Sequence, residues 1–177
     1  LQSGSTRRAS DRTLLFLRAG DGGRTITYAE AHERMSVLVG GLRGLGVVGA
    51  RPLLILAANS IDHALLSLAA MHVGVPAAPI STAYSLMSQD HAKLLHCLRQ
   101  VTPAVVYVAD GTAYAKALAT LQQAGLLDGV TVVIGANPPA GIDSLSFDTF
   151  AAAAPSSGVH AAFAALAGGL GAAFLRT

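Results

Sequence analysis

The chain has 177 residues, a length that fits one domain of about 100–200 residues. Hydrophobic residues make up 52% and charged residues 12%, a balance that excludes a disordered tail, a coiled coil and a collagen-like chain. A single cysteine, Cys97, excludes an internal disulfide framework and a cysteine-rich zinc site, and a net charge of +2 is too small for a surface that tracks nucleic-acid phosphates.

Residues 1–10 begin at Leu1 and carry the only basic pair, Arg7-Arg8. No apolar run follows that pair, so the segment reads as a flexible start or remnant and not as a signal peptide. Ser3-Gly4-Ser5-Thr6 has the small residues of a phosphate-cradling loop but neither a preceding strand nor a lysine, and reads as part of that flexible end.

Thr25 to Thr27 leads into Thr27-Tyr28-Ala29-Glu30, a capping box with Thr27 as N-cap and Glu30 three residues on. Tyr28, Ala31, Met35, Leu38, Leu42 and Leu45 then recur at helical spacing and mark a core-facing stripe. Gly44 or Gly46 ends that helix. Pro52 to Ala58 is wholly apolar, as expected of a strand covered on both faces. Asn59 or Ser60 caps a helix from Ile61 to Val73, which Gly74 stops.

Val75 to Ile80 is a second apolar run, and Pro76 and Pro79 confine it to a sheet edge or a short strand. A polar loop, Ser81 to Ser85, precedes a helix from about Ser88 to Gln100, ended by Pro103. Ala104 to Ala109 is the third strand candidate. Tyr114, Ala117, Leu118 and Leu121 form the stripe of the next helix, with Gly125 as its stop. Val130 to Ile134 is the fourth strand, and Ser146 to Ala153 a short helix.

From Val159 to Leu175 the chain is apolar but broken by His160, Gly168, Gly169 and Gly171, and shorter than the ~20 residues a membrane span needs. It reads as buried core, a helix followed by a strand at about Ala172 to Arg176. Strands alternating with helices of 10–15 residues predict βαβ units. The fold class is therefore α/β, a mostly parallel sheet with helices on both faces and right-handed crossovers.

Several residues tempt a catalytic reading. Gly44-Leu45-Gly46-Val47-Val48-Gly49 matches G-x-G-x-x-G, but it follows a helix and precedes a strand, the reverse of what a dinucleotide site needs. His91 and His96 lie five residues apart and diverge by about 140° on a helix, so with Asp90 and Cys97 they make no metal site. Cys97 reads as a buried small hydrophobe. Asp62-His63 lacks a nucleophile elbow; His63 reads as a helix-surface residue and His72 as a helix-end residue. Ser81-Thr82-Ala83-Tyr84-Ser85 is the best candidate for a functional loop, because ligands of parallel sheets gather at the carboxyl ends of strands. Its hydroxyls serve either a ligand or the next helix.

Taken in order, Thr25-Ile26-Thr27-Tyr28-Ala29-Glu30, Gly44-Leu45-Gly46-Val47, Arg51 to Ser60 and Ala69 to Ser81 resemble the start of the adenylate-forming enzymes, the superfamily of acyl-CoA and aryl-CoA synthetases, luciferases and peptide-synthetase adenylation domains. The run Ala77 to Leu86 looks most like feruloyl-CoA synthases. The resemblance covers roughly Arg12 to Asp148.

It implies that residues 11–177 are an incomplete N-terminal α/β subdomain of the large domain of such a ligase. It also implies a two-step reaction: a carboxylate and ATP give an acyl-adenylate and pyrophosphate, then coenzyme A displaces AMP. The partners are the remainder of the same enzyme, a small carboxylic acid and coenzyme A; no nucleic acid and no membrane span are expected, and the location is cytoplasmic. ATP, magnesium and coenzyme A are implied for the full-length enzyme and none for this chain. The family's T-S-G-S-T-G-x-P-K-G loop is absent, and Lys93 and Lys116, the only lysines, lie outside the family's lysine motifs. No catalytic, cofactor-binding or metal residue is assigned, and the chain alone is expected to be inactive. The low charge leads to a last expectation, that helix faces covered in a longer enzyme lie bare here. The alternative is a stand-alone interaction module or decayed ligase that dimerises through such a face.

Overall fold

Residues 11–19, 22–47 and 51–152 are described by a computed structural model. The chain opens with an antiparallel pair, β1 (Thr13–Ala19) and β2 (Gly22–Thr27). Helix α1 (Tyr28–Gly44) follows, its start fixed by the capping box: Thr27 Oγ1 accepts the Glu30 N–H at 3.2 Å, and the Glu30 carboxylate accepts the Thr27 N–H at 2.8 Å. The rest is β3 (Leu53–Leu56), α2 (Ile61–His72), β4 (Ala77–Pro79), the single turn α3 (Thr82–Ser85), α4 (Ala92–Val101), β5 (Val105–Val108), α5 (Ala115–Gln123), β6 (Thr131–Ile134), β7 (Leu145–Ser146) and α6 (Phe147–Ala151).

β3 to β7 form one five-stranded sheet in the order β4-β3-β5-β6-β7, and every pairing is parallel. β4 sits at the edge, as expected of a strand that contains Pro79 and follows Pro76. From β3 the chain crosses to β4 on one side, then returns past β3 to lay β5 on the other. The strand order thus reverses at the β3/β5 junction.

Successive strand residues point to opposite faces, and the core divides accordingly. Leu53, Ile55, Val105, Tyr107 and Val133 pack with Leu38, Val39 and Leu42 of α1, Leu65, Leu66, Ala69 and Ala70 of α2, and Phe150 of α6. Leu54, Leu56, Val106, Val108, Val132 and Ile134 pack with Leu94 and Leu98 of α4 and Ala117, Leu118 and Leu121 of α5. Both faces carry helices, which is why β3 and β5 read as unbroken apolar runs.

Three expectations need correction. The sequence reading misses the β1–β2 hairpin and the two-residue β7. Tyr28, placed in the α1 core stripe, is 51% exposed, because the first helical residue projects beyond the packed turns. The α4 helix starts at Ala92 and not near Ser88: Ser88 Oγ accepts the His91 N–H and Asp90 accepts the Ala92 N–H, closing a turn in which His91 takes a left-handed φ of 51°. Helices cover both faces of the sheet. Among the described residues the exposed large apolar side chains are Tyr28, Leu68, Met71, Leu86 and Met87, spread over the start of α1, α2 and the loop after α3. Arg7-Arg8, the Ser3 to Thr6 run, Gly49 and the 158–177 tail lie outside the described residues.

Candidate functional site

In a parallel sheet a ligand crevice forms at the carboxyl ends of the strands, where the order reverses. Here that position is flanked by the Ala57 to Ser60 turn after β3 and the Ala109 to Tyr114 turn after β5. Both turns are committed to their own helices. Ser60 Oγ accepts the His63 N–H at 3.0 Å and caps α2, and the His63 Nδ1 lies 3.3 Å from the Ala58 carbonyl. Asp110 accepts the Ala113 N–H at 2.9 Å, and the Asn137 amide donates to its other oxygen at 2.7 Å. Those two bonds, the Ala113 one first, hold the Asp110 carboxyl below its usual range.

The β6 turn locks onto this loop. The Gly111 N–H donates to Ala136 O at 2.8 Å, and a Cβ at Gly111 would lie 2.4 Å from Asn137 O, so only glycine fits. On the other side Asp62 pairs with Arg34 of α1. Tyr107 is buried beneath; burial, and then the Asp62 charge, push its phenol up to about 12. Asp62 and Asp110 stand near the two helix starts, and the His63 and Ala113 N–H groups are taken by Ser60 and Asp110, which disfavours a phosphate at those two groups.

The Ser81 to Ser85 loop is the helical turn α3, and its two serine hydroxyls bond within the turn. Ser81 Oγ accepts the Ala83 N–H at 3.3 Å, and Ser85 Oγ donates to Ser81 O at 3.4 Å. Ser85 is buried beside the Tyr114 phenol, which burial pushes up and the Ser85 hydroxyl pulls back, though the two lie outside hydrogen-bonding geometry.

Tyr84 faces elsewhere. It lines an open groove of about 390 Å³ with Ala92, Lys93, His96 and Cys97, all from α4. The Lys93 Nζ sits 5.2 Å from the Tyr84 ring centroid, a cation–π contact. His91 and His96 separate as expected: His91 is buried with its Nδ1 3.2 Å from Thr120 Oγ1, while His96 is exposed in the groove. Cys97 is half-buried and lines the groove, not the closed core position expected of it. Among the described residues no three His, Cys, Asp or Glu side chains form a metal site, and no helix is long and apolar enough to cross a membrane. The sequence reading passed over the groove because its parts look unrelated in isolation. The four-residue spacing of Lys93 and Cys97 was the available signal.

The G-x-G-x-x-G run behaves as a helix stop: Gly44 is the last residue of α1 and Gly46 takes a φ of +66°. The profile of the AMP-binding enzyme family matches residues 3–162. The chain belongs to this family. A search of curated proteins finds no match.

Solved structures share the fold of this AMP-binding family member at low identity. The luciferase-like enzyme of the nonluminescent mealworm Zophobas morio is 17% identical, with a TM-score of 0.64 over 82% of this chain and 31% of its own. An anthranilate CoA ligase, solved in complex with anthranoyl-AMP, is 19% identical, with a TM-score of 0.59 over 72% of this chain and 22% of its own. A fatty acyl-adenylate ligase from L. pneumophila, solved with acyl adenylate and pyrophosphate, is 13% identical, with a TM-score of 0.56 over 86% of this chain and 24% of its own. The chain thus spans less than a third of the length of each, and its α/β fold matches the N-terminal part of adenylate-forming enzymes.

Proposed function

We propose that this chain is the N-terminal region of an ATP-dependent, AMP-forming acyl or aryl-CoA ligase of the feruloyl-CoA synthase type. The observation that carries the reading is the family match across residues 3–162. The structural neighbours solved with anthranoyl-AMP and with an acyl adenylate support the class of reaction. The feruloyl type rests on the sequence resemblance of Ala77 to Leu86 alone.

In this reading the chain is scaffold. A carboxylate is a poor electrophile, and adenylation gives it a good leaving group that the thiol of coenzyme A then displaces. At the crevice the α2 start is capped by its own Ser60, and Asp110 closes the turn before α5, so these two positions offer a phosphate little. In this reading ATP, magnesium, the acid and coenzyme A belong to the remainder of the enzyme, in a cytoplasmic setting, and the 177 residues alone are inactive. The dimerising-module alternative would use an outer helix face such as that of α2, where Leu68 and Met71 are exposed.

The test is to express the complete reading frame that contains this chain, and the chain alone, with ferulate, benzoate and octanoate. Pyrophosphate release and CoA-thioester formation are measured. Ferulate is expected to give the highest kcat/KM on the complete protein, and the chain alone no thioester. Preference for octanoate would overturn the feruloyl assignment. Absence of pyrophosphate release with every acid would overturn the ligase reading, and thioester made by the chain alone would overturn its scaffold role.

A further inference from the structure

We propose that Cys97 and Lys93 form an acyl-relay modification site, in which the thiol takes an acyl group from an acyl thioester and passes it to the lysine. The inference needs no catalysis by this chain, because the donor arrives ready-made. Three observations converge on it. Lys93 and Cys97 are four residues apart on α4, which puts them on one face with Cβ atoms about 5–6 Å apart. Both line the same open groove, whose remaining walls include the Tyr84 ring and the Ala92 methyl, apolar surface against which a small acyl chain can lie. Among the described residues the Lys93 ammonium has no carboxylate partner; its recorded contact is the Tyr84 ring, which the long, flexible side chain can leave.

The chemistry favours a relay over direct attack. The free Cys97 is the softer and better nucleophile toward a thioester, and a half-buried thiol in an open groove is reachable. In the first step the Cys97 Sγ attacks the donor carbonyl. A new carbon–sulfur bond forms, the donor's own breaks, and the departing thiol leaves with the proton that Cys97 gives up. In the second step the Lys93 Nζ attacks the S-acyl group. The carbon–nitrogen bond forms and the bond to Sγ breaks. Of the two protons the ammonium loses, one restores the Cys97 thiol and one goes to water. The product is an amide on Lys93 and an unchanged cysteine. Nothing is oxidised or reduced. The second step is intramolecular, so proximity supplies what the hydrated ammonium lacks in solution.

The chain provides its own control, because its only other lysine, Lys116, lies on α5 and its only cysteine is Cys97. The intact chain is incubated with acetyl-CoA, and acetylation at each lysine is read by peptide mass spectrometry. Lys93 is expected to acetylate about tenfold faster than Lys116, an effect of intramolecular transfer. Cys97→Ala should bring Lys93 down to the Lys116 rate and leave Lys116 unchanged. In Lys93→Arg a hydroxylamine-sensitive acetyl group should accumulate on Cys97. Equal rates at the two lysines in the wild type, or a Lys93 rate that survives Cys97→Ala, would overturn the relay. If Cys97→Ala does not fold, the Lys93→Arg arm decides: an adduct on Cys97 supports the relay, and no adduct overturns it.

Discussion

The two faces of the parallel sheet are closed by different means. On the α1/α2/α6 face the closure is apolar and tight. α6 rests on α1 at Gly41, where a Cβ would fall 2.4 Å from the Phe150 carbonyl oxygen, and Phe147 bridges Tyr107 and Phe150 with ring centroids 5.5 and 6.0 Å apart. Its helices start at hydroxyl caps, Thr27, Ser60 and Ser146. The α4/α5 face has the same aliphatic interior but admits polar groups at its margin: buried His91 against Thr120, buried Ser85 beside Tyr114, and the groove of Lys93 and Cys97. Its two helices lack a side-chain bond from the N-cap residue, and carboxylates close the turns that lead into them, Asp90 before α4 and Asp110 before α5. One face is shut by apolar contact and close backbone approach, and the Lys93–Cys97 groove lies on the other.

The largest expected effect tests whether both faces are covered at all. Ile55 and Leu54 are adjacent on β3, point to opposite faces and are each 0% exposed. Ile55→Ala and Leu54→Ala should each destabilise the chain by about 2–5 kcal/mol in urea unfolding. A cost under about 1 kcal/mol for either would mean that its face is open to water, and the comparison would fail there.

Those two residues also show what a sequence can reveal. A run such as Leu53-Leu54-Ile55-Leu56 has no alternation, and a strand without alternation must be covered twice, so the layers were legible from composition alone. The α1 capping box and the α5 stripe of Tyr114, Ala117, Leu118 and Leu121 were legible for the same reason: the physics that fixes them is local. The β1–β2 hairpin was missed because Thr13–Ala19 gains its pairing from a neighbour strand and not from its own pattern. β7 was missed because two residues carry no period. The spacing of Lys93 and Cys97 was legible on α4, but not the Tyr84 wall of the groove, because α3 and α4 meet through packing. The hydroxyls of the Ser81 to Ser85 loop are visible in the sequence, but only geometry shows that those of Ser81 and Ser85 bond within their own turn.

A smaller effect sharpens the tight face. Gly41→Ala gains about 1 kcal/mol of helix propensity, yet its methyl must push against backbone and cost about 1–3 kcal/mol. The expected result is a net loss of stability, read as a lower urea midpoint. A more stable variant would mean that α6 is not seated on α1. Smaller again, Thr27→Ala and Ser60→Ala should each cost about 1 kcal/mol by freeing an N-terminal N–H of α1 or α2.

The smallest effect separates the faces by acid. Hydrogen bonds from the Ala92 N–H and the Ser88 hydroxyl hold the Asp90 carboxyl below its ordinary value, and those from Ala113 and Asn137 do the same for Asp110. A carboxyl whose pKa falls on folding stabilises the fold above its unfolded pKa, about 4, and that contribution is lost as pH drops through the lower folded value. The starts of α4 and α5 should therefore loosen in acid, while α2, capped by the Ser60 hydroxyl, holds. The start of α1 is no clean reference, because the Thr27 N–H likewise depresses Glu30. Hydrogen exchange from pH 6 down to pH 3, corrected for intrinsic rates, should show protection falling first at Ala92 and Ala113 and last at His63 (a window of about one unit on either side of the carboxylate range). Asp110→Asn keeps a cap at neutral pH but cannot titrate, so it should flatten the response at Ala113 alone. If Ala113 still loosens in that variant, the acid sensitivity belongs to the helix as a whole and not to its capping carboxylate.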